Sequence, residues 1–465
     1  MLSSASLPST VTDRLIERCH EVVAALRTIP CSSPCELYLV GGAVRDALSG
    51  LPIQDIDLAT NLRPEAVRDI LVGSGIRVYE TGLHHGTVTA LSSTGEPIEI
   101  TTFRLPNPAN LPLFSDSLVT DLSGRDFTIN AIALNLFTLE VIDPYSGRQD
   151  IASGTIRLVG EDELRFIEDP LRILRMVRFG TASAREITPH TLEAAERHAP
   201  ELSRISIERI RDEFTKILLS DFPKESLRQL RSLGILQSIL PEIVPSFDCA
   251  QNRWHVEDVF EHTLSVISRA PADDRILRLT ALFHDLGKPG TLSVDEAGER
   301  HFYAHELLST TLCQEAMRRL KYSNEEIHDV SLLVRNHMRP IDCGVPGVRR
   351  LLRDLGPHFA RFRRFQDADK TPILSDDSHR ARTERFDALV SAELARLAGT
   401  PVDKLTINGD DLIKLGLSPG PIIGKILKTL GEAVLDTPEI NTPELLLAMA
   451  RSLIEQDPTL TKTIP

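Results

Sequence analysis

The chain has 465 residues, 42% of them hydrophobic and 25% charged, the balance of an ordinary soluble protein with room for about three domains. No apolar run is long enough to cross a bilayer, and six cysteines in this length make no disulfide framework. A net charge of −14 argues against a wholesale basic coat for nucleic acid and leaves room only for local basic patches.

The N-terminal stretch "MLSSASLPSTVTDRLIERCH" lacks the apolar core of a signal peptide, which predicts a cytoplasmic protein. Spaced apolar positions over residues 11–28 predict a helix. Cys31 and Cys35 form a loose pair with no second pair nearby, a poor zinc site. "ELYLVGG" reads as a strand entering a glycine turn, and "AVRDALSG" as the helix that follows. "DIDLAT", "HGTVTAL" and "IEITTFR" read as further strands, while "FTINAIALNL" suits either helix or strand. From about residue 160 helical periodicity takes over almost to the end. The pattern predicts an α+β head over roughly the first 150 residues and an all-helical body after it. An internal boundary is expected in the proline-rich "LPEIVPSFDCAQNRW", residues 240–254. Arginines cluster at 172, 175 and 178, at 204, 209 and 211, and at 349, 350, 353, 361, 363 and 364. Taken singly, each cluster reads as a solvated helix face.

Asp55 and Asp57 are one residue apart in a strand, so they share a face. Two carboxylates on one face repel unless positive charge sits between them, and a divalent cation with oxygen ligands supplies it. The alternative for a bare DxD is a solvated edge strand. Gly41 and Gly42 stand between a strand and a helix start, where free N–H groups favour a phosphate. Glu99 lies on another strand, on the face of Thr101 and Phe103, and could complete a carboxylate triad for two-metal phosphoryl transfer. Arg125, Asp126 and Asn130 offer polar groups suited to triphosphate and ribose, or else to helix capping.

The ordered set GG, RD, DxD, a lone carboxylate strand and "RDFTINA" resembles the bacterial class II tRNA nucleotidyltransferase and poly(A) polymerase family. The resemblance runs from about residue 36 to the end and implies a polymerase-β-like head. It implies that Asp55 and Asp57 bind Mg²⁺, with Glu99 helping to activate the primer 3′-hydroxyl. Gly41, Gly42 and Arg45 would hold the triphosphate, and Arg125, Asp126 and Asn130 the incoming nucleotide, the last two favouring ribose over deoxyribose. In "EDPLRILRMVRF", Glu168, Asp169 and Arg172 stand on one helical stretch, where positions 169 and 172 share a face. Such a pair can match the edge of a base or simply form an ion pair. The family's EDxxR motif implies a protein template for CTP and ATP, with Glu168 orienting Arg172. The arginines of "RISIERIRDEFTKIL" would support the tRNA acceptor stem or the neck, mostly through phosphate. Two departures stand out. The segment "LPNPANLPLFSDSLVTDLS" looks shorter than the family's flexible loop, and Gly124 replaces a common second arginine. The short loop favours a CC-only or otherwise altered specificity.

The body carries a second constellation: His262, His284-Asp285 on an apolar helix ending at Gly287, His305, His337 and Asp369. Packing alone poorly explains so many polar groups in apolar helices, and imidazole with carboxylate suits Ni, Mn, Co, Fe or Zn. The series resembles the HD phosphohydrolase superfamily, which implies His262, His284, Asp285 and Asp369 as core ligands. His305 and His337 would hold a second metal or the phosphate. Asp367 is the alternative to Asp369 by spacing, and the family's Ala-Asp pair favours Asp369. The implied chemistry is removal of phosphate or cyclic phosphate from RNA 3′ ends; the alternative is a degenerate HD domain kept for its helices. "GLSPGPIIGKI" reads as a turn and helix start, either structural or touching tRNA phosphates.

The expected organisation is an N-terminal helix (1–35), a nucleotidyltransferase head (36–155), a helical neck with RNA-binding character (156–245), an HD domain (246–375) and a helical tail (376–465). The expected partners are the tRNA 3′ acceptor end, CTP and ATP, with no membrane; no protein partner can be inferred. The expected function is template-independent addition of C and A to tRNA. Its alternatives are a CC-adding enzyme, an A-adding enzyme, a poly(A) polymerase, or an HD phosphohydrolase with a nucleotide-binding head.

Overall fold

The structure, a computed structural model, describes residues 9–27, 35–53, 55–80, 82–105, 113–181, 186–251, 257–369, 377–397 and 405–456. It divides into two units, Met1–Val244 and Pro245–Pro465, with the division inside the proline-rich stretch. Cys31 and residues 106–112 of the short loop lie outside the described residues.

The first unit begins with α1 (Ser9–Arg27), β1 (Leu37–Val40), α2 (Gly42–Leu48), β2 (Ile56–Thr60), α3 (Pro64–Gly73), β3 (Arg77–Tyr79), β4 (Thr87–Leu91) and β5 (Pro97–Thr102). It continues with α4 (Leu118–Ser123), β6 (Ala133–Asn135), β7 (Val141–Ile142), α5 (Gly147–Ser153) and β8 (Thr155–Ile156). Seven strands form one mixed sheet in the order β3-β4-β5-β2-β1-β6-β7. Only β2 and β5 in it run parallel, a pairing that sets Asp57 beside Glu99. Alternation explains the layers. Leu37, Leu39, Ile56, Leu58, Ile98 and Ile100 face one core with α1, α2 and α3. Tyr38, Val40 and Ala59 face a smaller second cluster with Phe103 and Leu122. Asp57 is two residues from Ala59 and therefore belongs to that second face.

The helical neck follows: α6 (Asp162–Glu168), α7 (Leu171–Thr181), β9 (Glu186–Ile187), α8 (Pro189–His198), α9 (Ile207–Leu218), α10 (Pro223–Ser232) and α11 (Ile235–Ile239). The second unit comprises α12 (Val259–Arg269), α13 (Arg275–Phe283), α14 (Lys288–Thr291), the hairpin β10 (Leu292–Val294) and β11 (Arg300–Phe302), and α15 (His305–Arg319). It ends with α16 (Asn324–Asn336), α17 (Val345–Leu355), α18 (Phe359–Asp369), α19 (Asp377–Leu397), α20 (Gly409–Lys414), α21 (Pro421–Asp436) and α22 (Pro443–Gln456). The α+β head followed by a helical body is as expected from the sequence.

Several local expectations need correction. "FTINAIALNL" is a 3₁₀ turn (Thr128–Asn130) followed by the short β6. Helix after residue 160 is interrupted by β9, which pairs with β8, and by the β10–β11 hairpin. The arginines at 349, 350 and 353 are not a solvated face. Arg349 is 9% exposed and pairs with Glu393 at 2.9 Å, and Arg350 and Arg353 both reach Glu432.

Candidate active sites

In the first unit, a cavity of about 1190 Å³ is lined by Gly41, Gly42, Arg45, Asp55, Asp57, Arg125, Asp126, Asn130, Glu168, Asp169 and Arg172. Gly41 has φ +71°, a left-handed backbone that favours glycine. A Cβ there would lie 3.1 Å from Arg125 Nη1 and 3.6 Å from Asp57 Oδ2, so the turn passes tightly against both. Asp55 is exposed just before β2, and Asp57 is half-buried within it. Burial, and then the Glu99 charge beside it, push the Asp57 carboxyl above its ordinary value against the opposing pull of Arg125. Glu99 does not line the cavity, although it pairs in register with Asp57. This crowding of negative charge fits a divalent cation held by oxygen ligands.

A second group in the cavity is hydrogen-bonded throughout. Arg45 Nη1 donates to Asn130 Oδ1 at 2.9 Å, and Asn130 Nδ2 donates to Asp126 Oδ1 at 3.0 Å. Arg175 Nε donates to Asp126 Oδ2 at 2.7 Å. Burial acts to raise Asp126, but Arg175 and the Asn130 hydrogen bond overcome it and hold the carboxyl below its usual range. Phe179 carries the guanidinium of Arg178 at 4.1 Å and that of Arg45 at 5.0 Å from its ring centre.

The EDxxR segment differs from the single helix expected. α6 ends at Glu168, Asp169 is extended, and α7 begins after Pro170. Proline disfavours helical backbone in the residue before it, which breaks the helix at Asp169. The ion pair is therefore Glu168 with Arg172, at 2.9 Å, and Arg165 joins the same carboxylate at 2.7 Å. Arg172 Nη1 also donates to the Arg165 carbonyl at 3.0 Å, and Nη2 to the Gly124 carbonyl at 3.3 Å. Asp169 pairs instead with Arg209 at 2.7 Å. Arg175, Arg178 and Arg209, which the sequence offers only as solvated face or neck, line the cavity together with Phe179. The repeat of arginine at 172, 175 and 178 beside Phe179 was the available signal.

In the second unit, two triads bring ligand atoms within 4.8 Å: His262, His284 and Asp369, and Asp285, His305 and His337. Asp285 thus groups with His305 and His337, not only with the first three. Its Oδ2 lies 3.1 Å from His284 Nε2 and its Oδ1 3.2 Å from His305 Nε2, so it stands between the triads. The helix α13 stops at Phe283, earlier than expected, with His284 at its cap. Asp369 Oδ1 lies 3.0 Å from His262 Nε2, whereas Asp367 turns to Arg363 at 2.7 Å. Nδ1 of His284, His305 and His337 each faces a backbone carbonyl, at 2.8, 2.8 and 2.7 Å. With Nδ1 donating there, each Nε2 is turned inward, the orientation of a metal-bound imidazole. Nε2 of His305 and of His337 are only 3.1 Å apart. His284 Nε2 is buried without a hydrogen bond, and the buried Asp285 Oδ2 pairs with Lys288 Nζ at 2.6 Å. Burial lowers His284, but Asp285 and Asp369 overcome it and push the imidazole up to about 10. A buried carboxylate, Asp285, and a half-buried one, Asp369, with imidazole Nε2 atoms turned toward them, fit a divalent metal.

Comparison with known proteins matches both units. Residues 37–157 match the poly A polymerase head domain, and 186–246 the probable RNA and SrmB-binding site of polymerase A. Residues 255–369 match the HD domain, and 397–450 the putative domain 2 of tRNA nucleotidyltransferase. An A-adding tRNA nucleotidyltransferase of Deinococcus radiodurans is 31% identical, over 90% of this chain and 96% of that one. A CCA-adding enzyme of Leuconostoc mesenteroides is 30% identical, over 90% and 93%. The crystal structure of the Bacillus stearothermophilus CCA-adding enzyme in complex with CTP is 27% identical with a TM-score of 0.71, covering 95% of this chain and 99% of that one. Nucleotidyltransferase and HD domains generally use divalent metals, in keeping with the charge at both sites. No helix among the described residues is long and apolar enough to cross a membrane. With these domain matches and a relative 31% identical over 90% of its length, the chain belongs to the tRNA nucleotidyltransferase/poly(A) polymerase family.

Proposed function

We propose that the protein adds C and A residues to the 3′ end of tRNA from CTP and ATP without a nucleic-acid template, in the cytoplasm. The observation that carries this is the single cavity that gathers the glycine turn, Asp55 and Asp57, the Arg45–Asn130–Asp126 chain and the Glu168–Arg172 pair. Asp55 and Asp57, with Glu99 beside them, would hold Mg²⁺, which when bound neutralises phosphate charge and lowers the pKa of the attacking hydroxyl. Gly41, Gly42, Arg45 and Arg125 would cradle the triphosphate. Asp126 and Asn130 would accept and donate at the ribose. Arg172, fixed by Glu168, and Asp169 would meet the base edge, a forked donor beside an acceptor. Replacing Asp55 and Asp57 together by alanine is expected to lower labelled-CTP incorporation by about a thousandfold or more, because several kcal/mol of charge stabilisation goes with them. Full incorporation by that variant would refute the assignment.

The second unit supports a second activity. The observation is the pair of adjoining triads, with Asp285 of the second within 3.1 Å of His284 of the first and with His284 Nε2 buried without a hydrogen bond. His262, His284 and Asp369, and Asp285 with His305 and His337, would hold one or two divalent transition ions such as Ni, Mn, Co, Fe or Zn. When bound, the metal supplies an activated water for hydrolysis of a phosphate or cyclic phosphate at an RNA 3′ end. Lys288, 7% exposed and anchored on Gln251 Oε1 at 2.6 Å, would place a positive charge beside that reaction.

A further inference from the structure

Helix α9 presents Arg209 and Glu213 one turn apart, so they share a face. Arg209 Nη2 donates to Asp169 Oδ2 at 2.7 Å. Glu213 is 3% exposed; it accepts from Arg178 Nε at 2.5 Å and lies 3.8 Å from Arg175 Nη1. Arg175 passes the contact on, through Nε, to Asp126 Oδ2. Two chains of contact therefore leave one helix face. One ends on Asp169, and the other on Asp126, which is joined to Asn130 and Arg45.

Each carboxylate is oriented but not exhausted. An ionised carboxylate has about four acceptor positions. Asp169 uses Oδ1 for the Leu171 N–H and Oδ2 for Arg209. Asp126 uses Oδ1 for Asn130 and the Phe127 N–H, and Oδ2 for Arg175. Both line the cavity, so their remaining lone pairs are available to a ligand. Glu213 does not line the cavity and cannot act by touching a nucleotide. A buried carboxylate persists only if paired, so its pairing with Arg175 and Arg178 locks α9 to α7.

We infer that α9 is a positioning helix for nucleotide choice. Arg209 sets Asp169 for the base, and Glu213, acting through Arg175, sets Asp126 for the ribose. The arginine of the neck segment at 209 thus serves the nucleotide cavity and not tRNA phosphate. This rests on the proposal that Asp169 meets the base and Asp126 the ribose.

The test uses the full-length protein, a tRNA transcript lacking its last three nucleotides, and kcat/KM for CTP, UTP and 2′-deoxy-CTP. UTP lacks the amino donor that an acid reads on cytosine. Arg209→Ala should reduce the CTP/UTP preference about tenfold or more, with the ribose preference held within about twofold. Glu213→Gln should do the converse. Arg175→Lys keeps the charge but loses the planar fork, and should follow Glu213→Gln even if that variant is poorly folded. A general structural role would move both preferences together, and that result, or no movement of either, overturns the inference. Asp169→Ala and Asp126→Ala separate the two layers. If they leave both preferences intact, the underlying assignment fails and the inference falls with it. If they alter the preferences while Arg209→Ala and Glu213→Gln do not, only the positioning role of α9 falls.

Discussion

The head cavity and the HD cluster solve the same problem, gathering acidic groups around phosphate chemistry, by opposite means. In the head, Asp55 is exposed, Asp57 is half-buried, and arginines carried by several elements face a large open cavity. Strand pairing and one glycine turn set the carboxylates, and hydrogen bonds between side chains already satisfy much of the cavity wall. In the HD cluster, His262, His284, Asp285, His305 and His337 are all buried, and backbone carbonyls of α13, β11 and α16 aim the imidazoles of His284, His305 and His337. There the polar groups converge on one another, and His284 Nε2 is left without a hydrogen bond. The difference teaches what each site awaits. An open wall with spare acceptors suits a large, exchangeable nucleotide, whereas imidazoles turned inward toward two carboxylates suit a resident ion.

That contrast can be broken at its two ends. The larger effect is expected in the HD cluster. Asp285→Ala removes the residue between both triads, and should abolish hydrolysis of a 2′,3′-cyclic phosphate RNA end, by about a thousandfold or more. CTP and ATP addition by the same variant should stay within about twofold of the parent, since Asp285 belongs to the other of the two units. Addition and hydrolysis assayed on one preparation check this; joint loss of both would mean the sites are not independent. A smaller effect is expected from Arg172→Ala. It removes the forked donor while leaving Asp55 and Asp57 in place, and should cut the preference for CTP and ATP over UTP and GTP by roughly 10- to 100-fold. Competition among the four nucleotides reads it, and an unchanged preference would remove Arg172 from base selection.

The sequence made the head legible because its chemistry lies in short motifs. Asp55 and Asp57 share a strand face by period alone, and Gly41-Gly42 mark the turn. The HD histidines were legible as polar intruders in apolar helices, but their partition was not. Asp285 and His337 are far apart in the chain, and only the packing of α13 against α16 brings them together. The neck hid more. Arg175 and Arg209 read as solvated charge, and Glu213 carried no signal, because a helix face holds no record of what it packs against. Their partners are 49, 40 and 35 residues away. Pro170 was visible, yet the pattern of charges suggested continuity where the proline forces Asp169 out of the helix. Relatives named as A-adding and CCA-adding match this chain about equally.

The most direct measurement uses three tRNA transcripts, ending before CCA, after C and after CC. Each is incubated with the purified protein, Mg²⁺ and CTP, ATP or both, and the products are sized to one nucleotide. The account predicts completion to CCA on all three when both nucleotides are present. Arrest at CC, or extension only of the transcript that already ends in CC, would contradict C and A addition by one cavity, and no extension of any transcript would contradict nucleotide transfer by the head altogether.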